Sequence, residues 1–183
     1  MGEAERLLAV ADTYVKDFFT AMIATGCRPG ELRRLQWSEV KDHHLVLLAS
    51  KTKDREERRL PILRELRAIL DRRKVGPDGS DFGPDAFVFG DAFGNELQKR
   101  RLCQRWLDVC RKAGVENLHL HDLRAEAGSQ LLEAGVPIHA VRDVLGHSST
   151  STTNTYLRTR QRSIDDAFAK RQRALLRVAS GSR

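Results

Sequence analysis

Long apolar runs are missing from this sequence, and so are the motifs of common hydrolytic sites. No stretch approaches the roughly 18 consecutive apolar residues that a membrane-spanning helix requires. The N-terminal segment MGEAERLLAV carries two acids and lacks a basic region, so we expect no secretory signal. The histidines lack a ligand spacing such as HExxH, and no GxSxG motif surrounds Ser148 or Ser149. We therefore expect no metal site, no other cofactor and no serine nucleophile.

Cysteine is also scarce, whereas the composition is otherwise ordinary. The three cysteines, Cys27, Cys103 and Cys110, are odd in number and form no CxxC pair. They favour a reducing cytoplasm, where they serve as small buried hydrophobic residues. The 183 residues, 40% hydrophobic and 31% charged, suffice for one domain with a real core and exclude wholesale disorder.

Acidic residues are outnumbered by basic ones, which gives a formal net charge of +7. Much of this excess lies in the tail from Arg158 to Arg183, where eight basic residues accompany only Asp165 and Asp166. Such a balance favours a polyanionic partner, although a solvated helix face accounts for basic charge equally well.

Apolar residues recur at steps of three and four along most of the chain, which predicts a mainly helical fold. We expect a short helix opening at Pro29 and longer helices over residues 5–25, 62–73, 96–113, 121–134, 137–145 and 162–178. Residues 44–49 and the segment RRLPI predict a β-hairpin, and residues 87–89 favour a third short strand. The tip of the hairpin is expected to be highly charged, with Lys51 as a solvated charge unless it has a catalytic role; it also holds Lys53, Arg55, Arg58 and Arg59. The expected fold class is mainly α with a small antiparallel β-sheet (α+β).

Six residues are of the types that a protein needs to attack a phosphodiester with side chains alone. Guanidinium groups match phosphate geometry, and nearby cations make a tyrosine phenol, with a free pKa of about 10, a usable nucleophile. A lysine can protonate the leaving oxygen, and imidazoles can take the phenolic proton or hydrogen-bond the phosphate. Singly, each residue is more often an ion-pair partner, a structural histidine or a core aromatic, but jointly they favour phosphoryl transfer. The six are Arg28, Lys51, His121, Arg124, His147 and Tyr156.

The motifs around these residues resemble those of the tyrosine recombinase (phage integrase) family, in the expected order and over nearly the full chain. ATGCRPGEL resembles the first family box, in which an arginine precedes a glutamate by three residues. SKTKD followed by RRLPI resembles the lysine hairpin, and HDLR, LGHSS and TTNTY resemble the second box. The resemblance implies the fold of the family's catalytic domain. It also implies a site-specific DNA recombinase that works through a 3′-phosphotyrosine without metal or ATP.

The resemblance assigns a role to each matched position. It implies that Arg28 and Arg124 clamp the phosphate and that Tyr156 is the nucleophile. His121 becomes a base or a phosphate ligand, and His147 becomes a hydrogen-bond donor to the phosphate. These roles are expectations that follow from the family motifs.

Two lysines, Lys51 and Lys53, compete for the role of the general acid that protonates the leaving 5′-oxygen. Lys51 is preferred because it follows the predicted strand directly. The chain departs from many family members at Ala125, where a histidine commonly follows the HDLR motif. Any contact that the histidine makes in those relatives is absent here.

Family members usually carry an N-terminal helical domain that closes a clamp around DNA, whereas only 27 residues precede Arg28 here. We expect residues 1–183 to form a single catalytic domain without that core-binding domain, either excised or naturally short. The catalytic core is assigned to residues 1–157, and a basic amphipathic tail helix to residues 158–183. In the family this segment docks on a neighbouring protomer, and packing within the same chain is the alternative.

The implied partners are double-stranded DNA and further copies of the chain, which form a tetramer through the tail helix on synapsed sites. We expect a cytoplasmic, nucleoid-associated protein with no membrane partner. Two alternatives stay open: a non-catalytic DNA-binding module of the same fold, and a type IB topoisomerase-like relaxer that works as a monomer. Phosphate-directed DNA contacts are expected from Lys53, Arg55, Arg100, Arg101, Arg105, Arg158 and Arg160.

Overall fold

The structure, a computed structural model, describes residues 3–50 and 57–146 of the chain. The chain divides into two compact units, Met1–Gly146 and His147–Arg183. All helices and strands given below belong to the first unit. The expected tail helix and the expected boundary at residue 157 lie outside the described residues and stay predictions.

Two helices open the chain, and the prediction of a single helix over residues 5–25 is wrong. Helix α1 spans Glu3–Val10 and helix α2 spans Thr13–Thr25. The break lies at Asp12, whose carboxylate accepts a hydrogen bond from the Val15 N–H at 2.8 Å and so caps α2. The apolar periodicity conceals the break because the buried face continues across it. That face comprises Leu7, Ala11, Val15, Phe18 and Met22.

The predicted hairpin is present as strands β1, His44–Leu47, and β2, Arg58–Pro61. The strands pair antiparallel, with Leu45 opposite Leu60 and Leu47 opposite Arg58. Side chains alternate between the two faces of a strand, so Arg58 shares the buried face with Leu60. Arg58, which the sequence groups with the charged tip of the hairpin, is therefore a buried residue of β2.

The predicted third strand at residues 87–89 is also wrong. Phe87 forms only an isolated bridge with Gln36, and the sheet of the described residues has two strands. Val88 and Phe89 are nevertheless buried, and the Val88 N–H donates to the Leu35 carbonyl oxygen at 2.9 Å. A short apolar run predicts burial, but it contains no information about pairing.

Five further α-helices and a short 3₁₀-helix, Trp37–Glu39, complete the described part of the chain. Helix α3 spans Pro29–Arg33, α4 Arg64–Lys74, α5 Lys99–Ala113, α6 Leu120–Glu133 and α7 Ile138–Leu145. The predicted helices agree with these within a few residues at their ends. Gly146 ends α7 in the left-handed conformation that glycine adopts most readily.

The core lies where α2 packs against α4 and α6, and α1 packs against α5. Helix α7 packs on α6 and on strand β2, so its C-terminal end lies beside Arg58. Among the described residues, none of the helices has the length and apolar character that crossing a membrane requires.

Candidate active site

Arg28 lies at the junction of α2 and α3, where the backbone is tightly held. Gly26 ends α2 with φ 62°, and a Cβ there would lie 2.7 Å from the Leu145 side chain. The backbone N–H and the Nη1 of Arg28 donate to the two carboxylate oxygens of Glu31, each at 2.9 Å. Its Nη2 donates to the Gly146 carbonyl oxygen at 2.7 Å. The Arg28 guanidinium is therefore fixed on two sides.

Arg124 lies in α6 and is almost fully buried, with 1% of its surface exposed. Its Nη1 donates to the Gly26 carbonyl oxygen at 2.8 Å, and its Nη2 donates to the Leu145 carbonyl oxygen. The Nε is buried without a hydrogen-bond partner in the described part of the chain. A buried donor without an acceptor is costly, which makes this nitrogen a candidate donor to an incoming anion.

Two residues to which the sequence assigned no role, Glu31 and Arg58, complete this group of charges. Arg58 Nη2 lies 2.7 Å from Glu31 Oε2, an ion pair whose groups are not aligned as a hydrogen bond. Arg58 Nη1 donates to the Val144 carbonyl oxygen at 3.1 Å. Both charged side chains are more than nine-tenths buried. We refer to Arg28, Glu31, Arg58 and Arg124 as the arginine cluster.

The positive charge of the arginine cluster is only partly compensated. Burial, and after it the charge of Arg28, lowers the pKa of Arg124 to about 10, while Glu31 acts in the opposite direction. Arg124 is therefore still a cation at neutral pH. Three arginines and one glutamate leave a formal excess of two positive charges. Such a set is suited to neutralising a phosphate group.

A sequence signal for Arg58 exists in the alternation of strand β2. Arg58 and Leu60 lie two positions apart, so a register that buries Leu60 also directs Arg58 inward. The run of charged residues before the strand concealed this signal because such runs are typical of solvated turns. Glu31 is visible as the glutamate of the first motif, but no local pattern pairs it with a residue of β2.

His121 is exposed and lies one turn before Arg124 on α6. The start of this helix is fixed by Asp122, whose carboxylate accepts from the His119 N–H at 2.7 Å. The structure thus brings Arg28 and Arg124 together and places His121 near the start of α6. Seven of the other predicted catalytic and DNA-contacting residues lie outside the described residues: Lys51, Lys53, Arg55, His147, Tyr156, Arg158 and Arg160.

Three expected DNA contacts lie on α5, and they differ in exposure. Arg100 and Arg101 are exposed, whereas Arg105 is half-buried with its guanidinium 4.8 Å from the centre of the Tyr14 ring. The Tyr14 hydroxyl donates to the Phe89 carbonyl oxygen at 2.8 Å. Arg105 is therefore partly committed to packing. Within residues 3–50 and 57–146, no three His, Cys, Asp or Glu side chains form a group that could hold a metal ion.

Known proteins resemble this chain in sequence. The sequence profile of the phage integrase family matches residues 2–162. A tyrosine recombinase XerC from Corynebacterium efficiens is 32% identical over 149 residues, covering 80% of this chain and 47% of that relative. The XerC of Chromohalobacter salexigens is 31% identical over 166 residues, covering 88% and 52%. A shufflon-specific DNA recombinase from Escherichia coli is 27% identical over 163 residues, covering 88% and 39%. The chain spans about half the length, or less, of these curated relatives.

Solved structures resemble this chain in fold. The crystal structure of XerA recombinase aligns with a TM-score of 0.66 and 26% identity, covering 84% of this chain and 56% of that one. A lambda integrase, described as a dimer bound to a COC′ core site, aligns over the same shares with a TM-score of 0.67 and 17% identity. At 17% identity the second likeness concerns the fold alone. The expected fold class, mainly α with a small antiparallel sheet, is confirmed.

Proposed function

The chain belongs to the phage integrase family, and on that premise we propose that it is the catalytic domain of a site-specific DNA recombinase. It cuts one DNA strand, joins the 3′ end to a tyrosine and passes that end to another strand. The phosphotyrosyl bond keeps the energy of the broken linkage, so rejoining needs no ATP. Side chains neutralise the attacked phosphate, so the proposed step uses no metal ion.

One observation carries this proposal. Arg28 and Arg124 converge on the end of α7, and the buried Nε of Arg124 has no partner among the described residues. Guanidinium groups that are fixed by backbone carbonyls before substrate arrives are preorganised, which is how electrostatic catalysis lowers a barrier. We propose that both arginines donate to the non-bridging oxygens of the attacked phosphate. The formal excess of two positive charges in the arginine cluster supports this assignment.

The proposed step forms one bond and breaks one bond at phosphorus. The phenolic oxygen of Tyr156 attacks the phosphorus, and the bond to the 5′-oxygen breaks. His121 takes the phenolic proton or hydrogen-bonds the phosphate, and His147 donates a hydrogen bond to a non-bridging oxygen. Lys51 gives its proton to the leaving 5′-oxygen, with Lys53 as the alternative donor. In rejoining, a 5′-hydroxyl attacks the phosphotyrosine and releases the tyrosine.

The proposed partners are double-stranded DNA and further copies of the chain. Related proteins support a DNA partner, since solved structures are described as a lambda integrase dimer on a COC′ core site and as XerH bound to a difH substrate. We propose a tetramer that assembles through residues 158–183 and a cytoplasmic, nucleoid-associated location. Besides Arg28 and Arg124 at the attacked phosphate, the proposed DNA contacts are Lys53, Arg55, Arg100, Arg101, Arg105, Arg158 and Arg160.

A suicide-substrate assay tests the covalent step. The chain is incubated with nicked duplexes of randomised sequence around the nick, from which cleavage releases a short fragment that cannot rejoin. We expect an SDS-stable protein–DNA adduct with the wild-type chain and none with Tyr156→Phe, which still binds DNA in a mobility-shift assay. If a wild-type chain that binds these duplexes forms no adduct, the enzymatic proposal fails and a non-catalytic DNA-binding module is favoured.

DNA relaxation is the alternative activity that uses the same covalent step. A negatively supercoiled plasmid carrying two copies of the selected duplex sequence separates the two activities. Strand exchange between the copies, by a protein that multimerises on DNA, is the expected result. Relaxation by a monomer without any exchange product would favour the topoisomerase-like alternative.

A further inference from the structure

Arg58 is a buried cation to which the proposed mechanism gives no task. We propose that Arg58 is a positioning residue that fixes Glu31 relative to the C-terminal end of α7 and so sets the spacing of Arg28 and Arg124. This inference rests on the function proposed above. It gives strand β2, the second strand of the lysine hairpin, a part in aligning the phosphate clamp.

Three consecutive carbonyl groups end α7, and each accepts a hydrogen bond from a different arginine. The last carbonyls of a helix have no intrahelical partner and carry partial negative charge, so they attract cations. The arginines come from β2, from α6 and from the junction before α3, so three separate elements meet at this helix end. In the order of the carbonyls of Val144, Leu145 and Gly146, the donors are Arg58, Arg124 and Arg28.

Arg58 also ties this helix end to Glu31. One oxygen of Glu31 accepts from Arg28 at 2.9 Å, and the other lies 2.7 Å from Arg58. The carboxylate therefore lies between two guanidinium groups, and a shift of Arg58 moves the acid on which Arg28 rests. Water is largely excluded from this pair, so losing the Arg58 guanidinium leaves a buried carboxylate that only Arg28 compensates.

The burial of Arg58 argues against a direct contact with DNA. Its side chain is 7% exposed, whereas the next residue, Arg59, is 73% exposed on the opposite face of β2. Both terminal nitrogens of Arg58 face protein oxygens, those of Val144 and Glu31. Arg58 therefore acts through its neighbours, and Arg59 offers a matched control on the same strand.

Gly146 leaves no room for a side chain beside Arg58. Its φ is 61°, and a Cβ there would lie 2.5 Å from Nη1 and 2.7 Å from Cζ of Arg58. An alanine fits only if the guanidinium moves and the backbone tolerates a left-handed conformation. Gly146→Ala therefore displaces Arg58 without removing it, which provides a second, independent variant.

The test measures single-turnover adduct formation by Arg58→Lys and Arg59→Lys on a duplex selected in the suicide-substrate assay. With protein at a concentration that saturates the duplex, the rate constant of adduct formation is measured separately from the amplitude. The amplitude reports the fraction of protein that is active. We expect Arg58→Lys to lower the rate constant about 100-fold, because misplacing a reacting group by about 1 Å costs this much. Arg59→Lys should stay within about twofold of wild type, and the DNA affinity of Arg58→Lys within about threefold. A substrate with a 5′-bridging sulfur should show the same loss, because it relieves only the need for a proton donor.

Most of the other outcomes count against the inference. A lower amplitude with an unchanged rate constant means that Arg58 serves folding alone, and rescue by the sulfur substrate means that it acts on the leaving oxygen. If Arg58→Lys does not fold, Gly146→Ala decides: a rate constant about tenfold lower supports the inference, and an unchanged one overturns it. A wild-type chain that forms no adduct overturns the proposed function and this inference together. A wild-type adduct with an unaffected Arg58→Lys rate constant overturns the inference alone.

Discussion

Two buried carboxylates in this chain, Glu31 and Asp17, are each held by two arginines. Glu31 lies in the arginine cluster, between α3 and β2. Asp17 lies on α2, is 1% exposed, and accepts hydrogen bonds from Arg72 and Arg73 of α4. We refer to Asp17, Arg72 and Arg73 as the aspartate cluster. Both clusters fix one helix against a second element. The feature that they share, a carboxylate held by two arginines, therefore serves packing.

The two clusters differ in what surrounds their cations. Arg73 lies 5.0 Å and 5.1 Å from the ring centres of Tyr14 and Phe89, and its Nε donates to the Val88 carbonyl oxygen at 2.8 Å. Aromatic faces and a carbonyl thus satisfy this guanidinium. The arginine cluster instead contains a third guanidinium, Arg124, with a buried nitrogen that has no partner among the described residues. An acid between two arginines therefore indicates structure, and the uncompensated third arginine indicates an anion site.

The largest expected effect is a loss of folding stability in Asp17→Asn without a change in the rate of the covalent step. Asp17→Asn should lower the free energy of unfolding by about 3 kcal/mol, because it leaves two cations, one mostly buried, without their counter-charge. The rate constant of adduct formation per folded molecule should not change, since both partners of Asp17 belong to α4. Urea denaturation and single-turnover kinetics measure the two quantities.

Asp108→Asn is the matched control for this substitution. Asp108 pairs with Arg111 at 2.6 Å on the exposed side of α5, and breaking such a pair costs roughly 0.5 kcal/mol or less. If the folded Asp17→Asn protein also forms the adduct slowly, the two clusters are not functionally distinct.

A substitution that keeps the charge should affect only the arginine cluster. Arg124→Lys should slow adduct formation about 100-fold, because lysine lacks the fork that reaches two backbone carbonyls and a phosphate together. Arg72→Lys should leave the rate constant close to that of wild type, since its charge serves Asp17. Single-turnover kinetics at saturating protein test both variants. Equal rate constants for the two would remove Arg124 from the proposed phosphate clamp.

Alkaline pH should destabilise the surroundings of both clusters, because each cluster adjoins a protonated group whose burial opposes ionisation. Burial raises the pKa of Cys27, next to Arg28, from about 9 to about 11, and that of Tyr14, beside Arg73, to about 12. The unfolded chain therefore loses both protons at a lower pH than the folded chain does. The free energy of unfolding is largest below about pH 9 and falls as the pH rises through 11. The Cys27 contribution to this loss is about 3 kcal/mol.

Denaturation at a series of pH values from about 8 to 12 measures this slope. Cys27→Ala should flatten it between about pH 9 and 11, and Tyr14→Phe should flatten it only above about pH 10. Cys103→Ala, at an exposed position, is the matched control for the loss of a thiol. A Cys27→Ala protein with the wild-type slope would show that the thiol ionises as readily in the folded chain as in the unfolded one.

Local signals predicted most of the fold. Gly26 and Pro29 indicate where one helix ends and the next begins, and apolar alternation indicates the hairpin. The break at Asp12 was missed because a helix cap inside a continuous apolar face leaves the periodicity intact. The apolar segment that begins at Phe87 wrongly predicts a strand because burial and strand pairing are separate properties.

Sequence motifs point to only some residues of the candidate site. Arg28 and Arg124 were assigned from their motifs, and the structure places both at the end of α7. Arg58 was not assigned, because its burial depends on partners 27 and 86 residues away in the sequence, Glu31 and Val144. A stretch with several arginines looks uniformly solvated until the strand register determines which of them points inward.

The smallest expected effect concerns the surface, where pairing rather than exposure should decide which arginines meet DNA. Arg101 is exposed on α5, whereas Arg72 is half-exposed but bonded to Asp17. Arg101→Gln should weaken DNA binding a few-fold and reduce the slope of log affinity against log salt by about 1, since one phosphate contact is lost. Arg72→Gln should leave that slope unchanged, because its charge is already neutralised. Fluorescence anisotropy across a salt titration measures both slopes, and equal reductions would show that the aspartate cluster also contributes charge to DNA binding.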